Sequence, residues 1–542
     1  MRYRRFAVAF VFVLSLCSGG AVTATAAEPS TNATLVEAYP NPVADGDAGE
    51  FVTVRFERPT NTTGWVLGDE TTAVQLPNRT FRGTVAFSST PRAARNHTDT
   101  RVVGLDGRLR LANGGEELLL RAGKSTVDTA RYRDAPESRI RVFAAGTWRP
   151  VGATEMEPVT VGGSEATAFV LPDASKQVIE TLRSADNRLL LGGYTLTSER
   201  VTDALVDAHE RGVTVRVLLD GSPVGGMSER QAEQLTRLSE AGVDVRLLDG
   251  QRVRYAHHHP KYAVVDDRAL VLTENFKPAG TGGMSSRGWG VVLSNAELTA
   301  ALADLHAADW TWRAAIPWST YRRGRDFVAA EPAVGDFETR HQPKQVTVET
   351  TTLLVAPDNA ASAVERHIDR AETRVLVQQV EIDSRENRLL QAALRAADRG
   401  VTVRIQLSSG WYVREENAAL VGWLNRRADA EGWDLMARVD DPEEYEKIHT
   451  KGVIVDDTAI LGSLNWGRTA MTENREVAVA LEGEAVADYY AGVFDDDWSK
   501  SDRQKTPTGL LAVAAVALAG AVLFGRRIEF RGRDGVVTDW QW

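Results

Sequence analysis

Two histidine and lysine pairs are the residues of this chain best suited to chemistry. His259-Pro260-Lys261 is followed by Asp266, and His449-Thr450-Lys451 by Asp456, so each copy reads His-x-Lys, four residues, then Asp. On a strand, side chains alternate between faces, so a His and a Lys two positions apart project together while the apolar run behind them anchors the strand. That pairing suits phosphate. An imidazole attacks phosphorus or protonates a leaving oxygen, and an ammonium beside it holds the negative charge that develops on the phosphoryl oxygens. One copy alone is compatible with a surface strand end carrying a chance His and Lys. Two copies at matching places in a repeat are not.

The elements that must position these pairs recur with them. Leu171-Pro172-Asp173 opens one copy and Ala356-Pro357-Asp358 the other, and an amphipathic helical stretch follows each. A strand, a second helix and the identical hexapeptide Arg-Gly-Val-Thr-Val-Arg come next, at 211–216 and 399–404. Val213, Val215 and Val217 alternate as a strand, and Gly212 ends the helix before it. Both copies close on a helix ending in Asp-Trp, at Asp309-Trp310 and Asp497-Trp498. Alternating helices and strands predict a layered α/β domain with a largely parallel sheet. The stretch 314–348, rich in Arg, Pro and Glu, connects repeat 1 (165–313) to repeat 2 (349–500).

At the paired motifs the chain resembles the phospholipase D superfamily, whose signature is His-x-Lys-x4-Asp followed by a Gly-Ser-x-Asn turn; the resemblance covers 165–500. The second copy fits throughout, with Gly462, Ser463 and Asn465 in place and Asn474-Arg475-Glu476 beyond. The first copy departs: Leu272 and Thr273 replace Gly-Ser, and Trp289 falls where the second has Glu476. Thr273 keeps a hydroxyl and Asn275 the amide, so the first half-site reads as altered but working.

The resemblance implies two pseudo-symmetric α/β/α halves about a twofold axis, with both His-Lys pairs in one cleft and no metal or other cofactor. It implies that one of His259 and His449 attacks phosphorus to form a phosphohistidine. The other protonates the leaving group and then activates water or an acceptor alcohol, so their titrations are coupled. The first copy usually supplies the nucleophile, which assigns it to His259. Lys261 and Lys451 then bind phosphoryl oxygens with Asn275 and Asn465 assisting. Asp266 and Asp456, part of the catalytic signature, order the strand and its neighbours, and Thr273, Ser463 and Glu476 orient the histidines. His257 and His258 raise the question of a metal, but the second copy lacks counterparts and the lysines suit phosphate better. Trp411, Trp423, Trp433 and Trp466 are candidates either for the cleft wall or for the core.

The flanks predict an address. Arg2, Arg4 and Arg5, an apolar run from Phe6 to Leu16 and the small residues Ala24-Thr25-Ala26-Ala27 form a signal-peptide pattern over 1–27. The one cysteine, Cys17, lies inside it, so the mature chain has no disulfide, thiolate nucleophile or Cys-ligated zinc. Residues 28–135 read as short strands between turns, an all-β immunoglobulin-like sandwich. Val36-Glu37-Ala38-Tyr39-Pro40-Asn41-Pro42, Gly64-Trp65-Val66-Leu67-Gly68-Asp69 and Leu111-Ala112-Asn113-Gly114-Gly115-Glu116 resemble the lamin-tail family, which implies a binding or spacer module. Sequons at Asn32, Asn61, Asn78 and Asn96 agree with an exterior location.

From Thr508 to Phe524 the chain carries no charge and then meets Arg526-Arg527. A helix there is about 26 Å long at 1.5 Å per residue, enough to cross a thin bilayer, and the arginines place a 526–542 tail inside the cell. The transmembrane expectation is 508–525. Net charge is −11, or −14 without the three leader arginines, and only nine of 63 basic residues are Lys. Such a surface resembles proteins of salt-loving archaea.

Together these features predict an exported, membrane-anchored phosphodiesterase or transphosphatidylase that hydrolyses or transfers phospholipid headgroups. The alternatives are a nuclease of the same superfamily and a surface-binding protein whose altered first half has lost catalysis. Lipid is favoured because Asp440, Asp441, Glu443, Glu444 and Glu446 precede the second motif and would repel a long polyanion, whereas Asp249, Arg252 and Arg254 before the first are mixed.

Overall fold

The computed structural model describes residues 33–69, 71–250, 253–281, 285–329, 339–442 and 444–503. The leader over 1–27, Asn32, the 508–525 segment and the 526–542 tail lie outside them. Among the described residues no helix is long and apolar enough to cross a membrane.

Alternation builds the N-terminal module. In strand Phe51–Asn61 the apolar side chains of Val52, Val54 and Phe56 are buried, and in Gly115–Ala122 those of Leu118 and Leu120. A six-stranded sheet and a four-stranded sheet close on this shared core, with Phe56, Phe81 and Phe87 from one facing Leu67, Leu118 and Tyr132 from the other. The six-stranded sheet takes in strands Arg139–Val142 and Thr147–Pro150, so the sandwich runs past residue 135. Ile140 is the buried residue that holds this extension down.

The described strands beyond the N-terminal module form one continuous sheet of sixteen, fifteen in one path and the two-residue strand Lys447–Ile448 paired off it, parallel to Ser286–Ser294. Its centre is the antiparallel pairing of Val159–Leu171 with Lys344–Ala356. Outward from that seam the two halves repeat the same order. The first runs Ser286–Ser294, Arg268–Leu272, Tyr262–Val265, Arg188–Gly193, Thr214–Asp220 and Asp244–Leu248, with a short edge strand, Ala315–Pro317, beyond. The second runs Glu476–Glu482, Thr458–Gly462, Lys451–Val455, Arg374–Gln379, Thr402–Leu407 and Leu435–Val439.

The sheet is mixed, not largely parallel. Only the three outer repeat strands of each half run parallel, where helices supply the crossovers. The motif strands instead turn back at once through Asp266-Asp267 and Asp456-Asp457, where Asp266 (φ 54°) and Asp456 (φ 49°) adopt the left-handed conformation that a two-residue hairpin turn requires.

Helices cover both faces. Ser175–Arg183, Glu199–Glu210 and Glu229–Glu240 bury Val178, Leu182, Leu205 and Leu235 against Leu189, Leu191 and Val217. The closing helices Ala296–Trp310 and Glu484–Arg503 lie in one core that both halves share, with Leu302, Leu305, Tyr490 and Phe494 among its members. Trp289 sits there, fully buried and stacked on Tyr490 at 4.8 Å between ring centres.

Two buried arginines cross the seam. Arg475 donates from Nε to Asp309 at 2.9 Å and from Nη1 to Asp358 at 3.0 Å, and Tyr255 lies 4.4 Å from its guanidinium. At the equivalent place Arg287 meets Asp173 at 2.6 Å and Asp497 at 3.0 Å, with Tyr445 at 4.5 Å. Asp309 and Asp173 belong to the first half, Asp358 and Asp497 to the second. The Leu-Pro-Asp, Ala-Pro-Asp and Asp-Trp pieces of the repeat thus end on the same two cations. Arg475→Met would strand two buried carboxylates and is expected to cost about 3–5 kcal/mol in urea denaturation. The exposed pair Arg395 and Asp369 is the control, with a loss below about 1 kcal/mol for Arg395→Ala. Equal losses would mean that the buried arginines do not hold the halves together.

Candidate active site

Each motif histidine is carried by one half and held by the other. The His259 N–H donates to the Arg475 carbonyl at 2.9 Å, and the His449 N–H to the Arg287 carbonyl at 2.8 Å. The side chains repeat the exchange. His259 Nδ1 lies 2.9 Å from both oxygens of Glu476, and His449 Nδ1 lies 3.2 Å from Glu274 Oε2 and 3.1 Å from Lys451 Nζ. With Nδ1 engaged, Nε2 of each ring is left for a reacting group, and the carboxylate fixes ring orientation. Lys261 Nζ donates to the His259 carbonyl at 2.5 Å and Lys451 Nζ to the His449 carbonyl at 2.6 Å. Both lysines are buried, and the charges of both act on each histidine. The cleft therefore brings the two pairs together from sequence positions about 190 residues apart.

Glu274 was not visible as a site residue. It occupies the variable position of the altered turn Leu272-Thr273-Glu274-Asn275, where the second copy has Leu464. The strand register also corrects the alignment that set Trp289 against Glu476. Gly288 pairs with Leu171 as Glu476 pairs with Ala356, so Gly288 is the true counterpart and Trp289 is core. A Cβ at 288 would overlap Glu274 Cγ. The carboxylate has thus moved from the strand to the turn, and glycine vacates the space it needs. The signal was a glycine where the other copy has its acid.

The remaining predicted residues divide by position. Asn275 and Asn465 are at equivalent places, and each has a buried amide oxygen with no protein partner. Thr273 and Ser463 do not touch the histidines. Their hydroxyls accept the N–H of Trp289 and Val477 at 2.9 Å and so pin the neighbouring strand, while Ser463 and Asn474 also hold Glu476. Asp266 and Asp456 lie at the far end of the motif strands, outside the cleft. Asp266 accepts from the N–H groups of Asp186, Asn187 and Arg188 at 2.7 to 2.9 Å, and Asp456 from those of Glu372, Thr373 and Arg374 at 2.8 to 3.0 Å. Both carboxylates are thus taken up by the backbone leading into the neighbouring strand.

His257 and His258 face different partners. His258 Nδ1 is 3.2 Å from the Gly193 carbonyl, and His257 lies beside Asp220. Tyr194, absent from the sequence prediction, sets its ring 4.7 Å from that of His259. Trp466 is buried, Trp423 and Trp433 pack against the core, and only Trp411 is open. The acidic mouth is weaker than its sequence. Asp440 is buried and pushed well above the usual carboxylate range by that burial, Glu444 pairs with Arg340, and Asp249 pairs with Arg325 at 2.5 Å.

The two carboxylates are driven apart. Burial raises Glu476 to about 8, the lysines only partly opposing it, whereas at Glu274 the neighbouring His449 and lysines outweigh burial and hold it below its ordinary value. Burial and then Lys261 hold His259 well below the usual imidazole range, so it is neutral. Burial takes His449 to about 4 against the pull of Glu274, the strongest influence favouring its charged form. Lys451 is lowered to about 8 by burial. Opposite environments for paired acids separate the roles of the groups they serve.

A continuous pseudo-symmetric sheet with one His, Lys and carboxylate site drawn from both halves defines a duplicated enzyme-like domain. The family described as Cardiolipin synthase, PLD-like domain matches residues 178–310 and 364–498. The two repeats belong to the phospholipase D superfamily. Mitochondrial cardiolipin hydrolase of Chlamydomonas reinhardtii is 28% identical over 100 residues, covering 18% of this chain and 41% of that protein. Phospholipase D of Rickettsia bellii (strain RML369-C) is 25% identical over 151 residues, 28% of this chain and 69% of that one. Phosphatidylserine synthase of Haemophilus influenzae Rd KW20 superposes with a TM-score of 0.47 at 14% identity over 64% of this chain and 86% of that structure.

Glu274→Gln removes the nearest negative charge from His449, which disfavours the imidazolium and should lower the His449 pKa further. NMR of histidine-labelled protein, with His449→Gln for assignment, checks this, and an unchanged or raised value would remove Glu274 as its partner. Glu274→Leu with Gly288→Glu rebuilds the second-half arrangement and should restore the value that Glu274→Leu alone loses.

Proposed function

We propose that the protein is a phosphodiesterase that cleaves or transfers phospholipid headgroups through a covalent phosphohistidine. The observation that carries this reading is the reciprocal pairing of His259 with Glu476 and His449 with Glu274, beside two buried lysines. His259 is assigned as the nucleophile because its partner Glu476 is the carboxylate raised to about 8, whereas Glu274 beside His449 stays ionised and favours an imidazolium there. Its Nε2 forms the bond to phosphorus as the bond to the leaving oxygen breaks, and His449, acting as the imidazolium that the ionised Glu274 and the arriving phosphate anion favour against burial, gives that oxygen its Nε2 proton. His449 then takes a proton from water or an acceptor alcohol, which attacks phosphorus and frees His259. Lys261, Lys451 and the amides of Asn275 and Asn465 hold the phosphoryl oxygens as their charge grows. The pairing of His449 with an ionised carboxylate works against the rival reading of a catalytically silent surface binder.

The family description and the relatives' names favour lipid over nucleic acid, and the weakened acidity of the mouth leaves charge as a minor discriminator. The tests are concrete. Phospholipid vesicles should be cleaved faster than single-stranded oligonucleotide at matched phosphate and at two salt levels; the reverse order at both would establish the nuclease. His259→Ala and His449→Ala should each reduce turnover by about 10²–10⁴-fold, with chelator leaving the wild-type rate unchanged. With bis(p-nitrophenyl) phosphate, whose leaving group needs no acid, His449→Ala should release one nitrophenolate per chain and stall. A burst from His259→Ala instead would exchange the two roles.

Export and a tether at 508–525 complete the proposal. Protease on intact cells should digest the repeats and spare a tag placed after Trp542; a digested tag would overturn the orientation.

A further inference from the structure

Among the described residues six large apolar side chains stand well exposed, and four of them gather beside the cleft: Val224 (81%), Trp411 (87%) and Tyr412 (43%) on two loops, and Val328 (46%) packed on the first of them. The loops are equivalent by the repeat. One follows strand Thr214–Asp220 and the other strand Thr402–Leu407. The first loop reaches the first motif, because the Val224 N–H donates to the Tyr194 hydroxyl at 2.6 Å and the Tyr194 ring meets that of His259 edge-on. Val328 rests on the same loop, its N–H donating to the Met227 carbonyl at 3.0 Å. The second loop reaches the second motif, since the Tyr412 ring lies 5.4 Å from Lys447 Nζ, two residues before His449. Trp411 stands edge-on to Tyr412 at 5.7 Å and otherwise projects into solvent.

We propose that these residues form a two-sided rim that docks on the surface of a phospholipid bilayer, with the cleft facing the headgroups. This rests on the phospholipid reading above. A lipid phosphate must reach Nε2 of His259 while its acyl chains stay in the bilayer, so the cleft mouth must come down to the headgroup layer. Trp and Tyr are the side chains that settle at that depth, with an apolar body and a polar tip. The nearby charges are of both signs, Lys447 lying 4.0 Å from Glu446, so the contact is apolar and takes a neutral bilayer. Each half supplies one lip, which makes the docked face continuous with the shared site.

The test uses the full chain in a Cys17→Ser background with an environment-sensitive fluorophore at one introduced cysteine. Val224→Cys and Tyr412→Cys labels should shift to the blue on phosphatidylcholine vesicles and be quenched by spin-labelled lipid. A label at Met436→Cys, as exposed as Tyr412 but on strand Leu435–Val439 away from the rim, should remain aqueous. No shift at 224 and 412, or the same shift at 436, overturns the proposal. Independently, Trp411→Ser with Tyr412→Ser should lower the rate on vesicles at least about tenfold and leave hydrolysis of bis(p-nitrophenyl) phosphate within about twofold, since two aromatic contacts exceed the free energy of one decade. An equal loss on both substrates also overturns it, by making these residues part of the cleft. Labels that insert into vesicles whose lipid is never cleaved would support docking and count against the phospholipid reading alone.

Discussion

The exchange of buried charge across the seam is the constraint from which the rest follows. Arg287 and Arg475 are buried cations, and each meets carboxylates from both halves. A buried ion pair contributes little net stability over apolar packing, but leaving one partner alone is costly, so such groups admit few alternative arrangements. That selectivity reaches the chemistry directly. The carbonyls of the same two arginines receive the N–H groups of His449 and His259. The halves cannot slide or separate without losing the histidine geometry.

One half-site keeps its acid on a strand, at Glu476, and the other keeps it on a turn, at Glu274. Both acids are buried and both reach Nδ1 of the histidine from the opposite half. The requirement that survives in both is a carboxylate at that point in space, whichever segment delivers it. Gly288 and Glu274 show how little backbone change this needs when a strand residue gives up its side chain.

Much of this was legible in the residues. The duplicated His-x-Lys-x4-Asp, the shared hexapeptide and the two Asp-Trp endings located both repeats and four of the cleft's central side chains. Local pattern was enough because motif spacing and strand alternation are properties of neighbouring residues. What stayed hidden depended on contacts distant in the chain. Glu274 has no meaning until His449 arrives from the other half. Trp289 looked like the counterpart of Glu476 because a one-residue difference in register is invisible without the sheet. The sheet itself is less parallel than alternating helices suggested, since the hairpins at Asp266 and Asp456 reverse the chain where a crossover would have continued it. Asp440 and Glu444 looked like surface charge and turned out buried or paired.

The unequal origin of the two carboxylates has a stereochemical side. A phosphodiester is not symmetric, since its two ester oxygens lead to different alcohols, whereas a perfectly duplicated site would accept it either way round. With Glu274 held below its ordinary value and Glu476 raised to about 8, the two ends of the cleft differ in charge. If His449 is the acid, as proposed, the substrate then has one productive direction, with the departing alcohol on the side of His449. On the proposed phosphohistidine reading, headgroup selection would fall to the residues around the second motif, and the first half would see mainly the part of the lipid that stays.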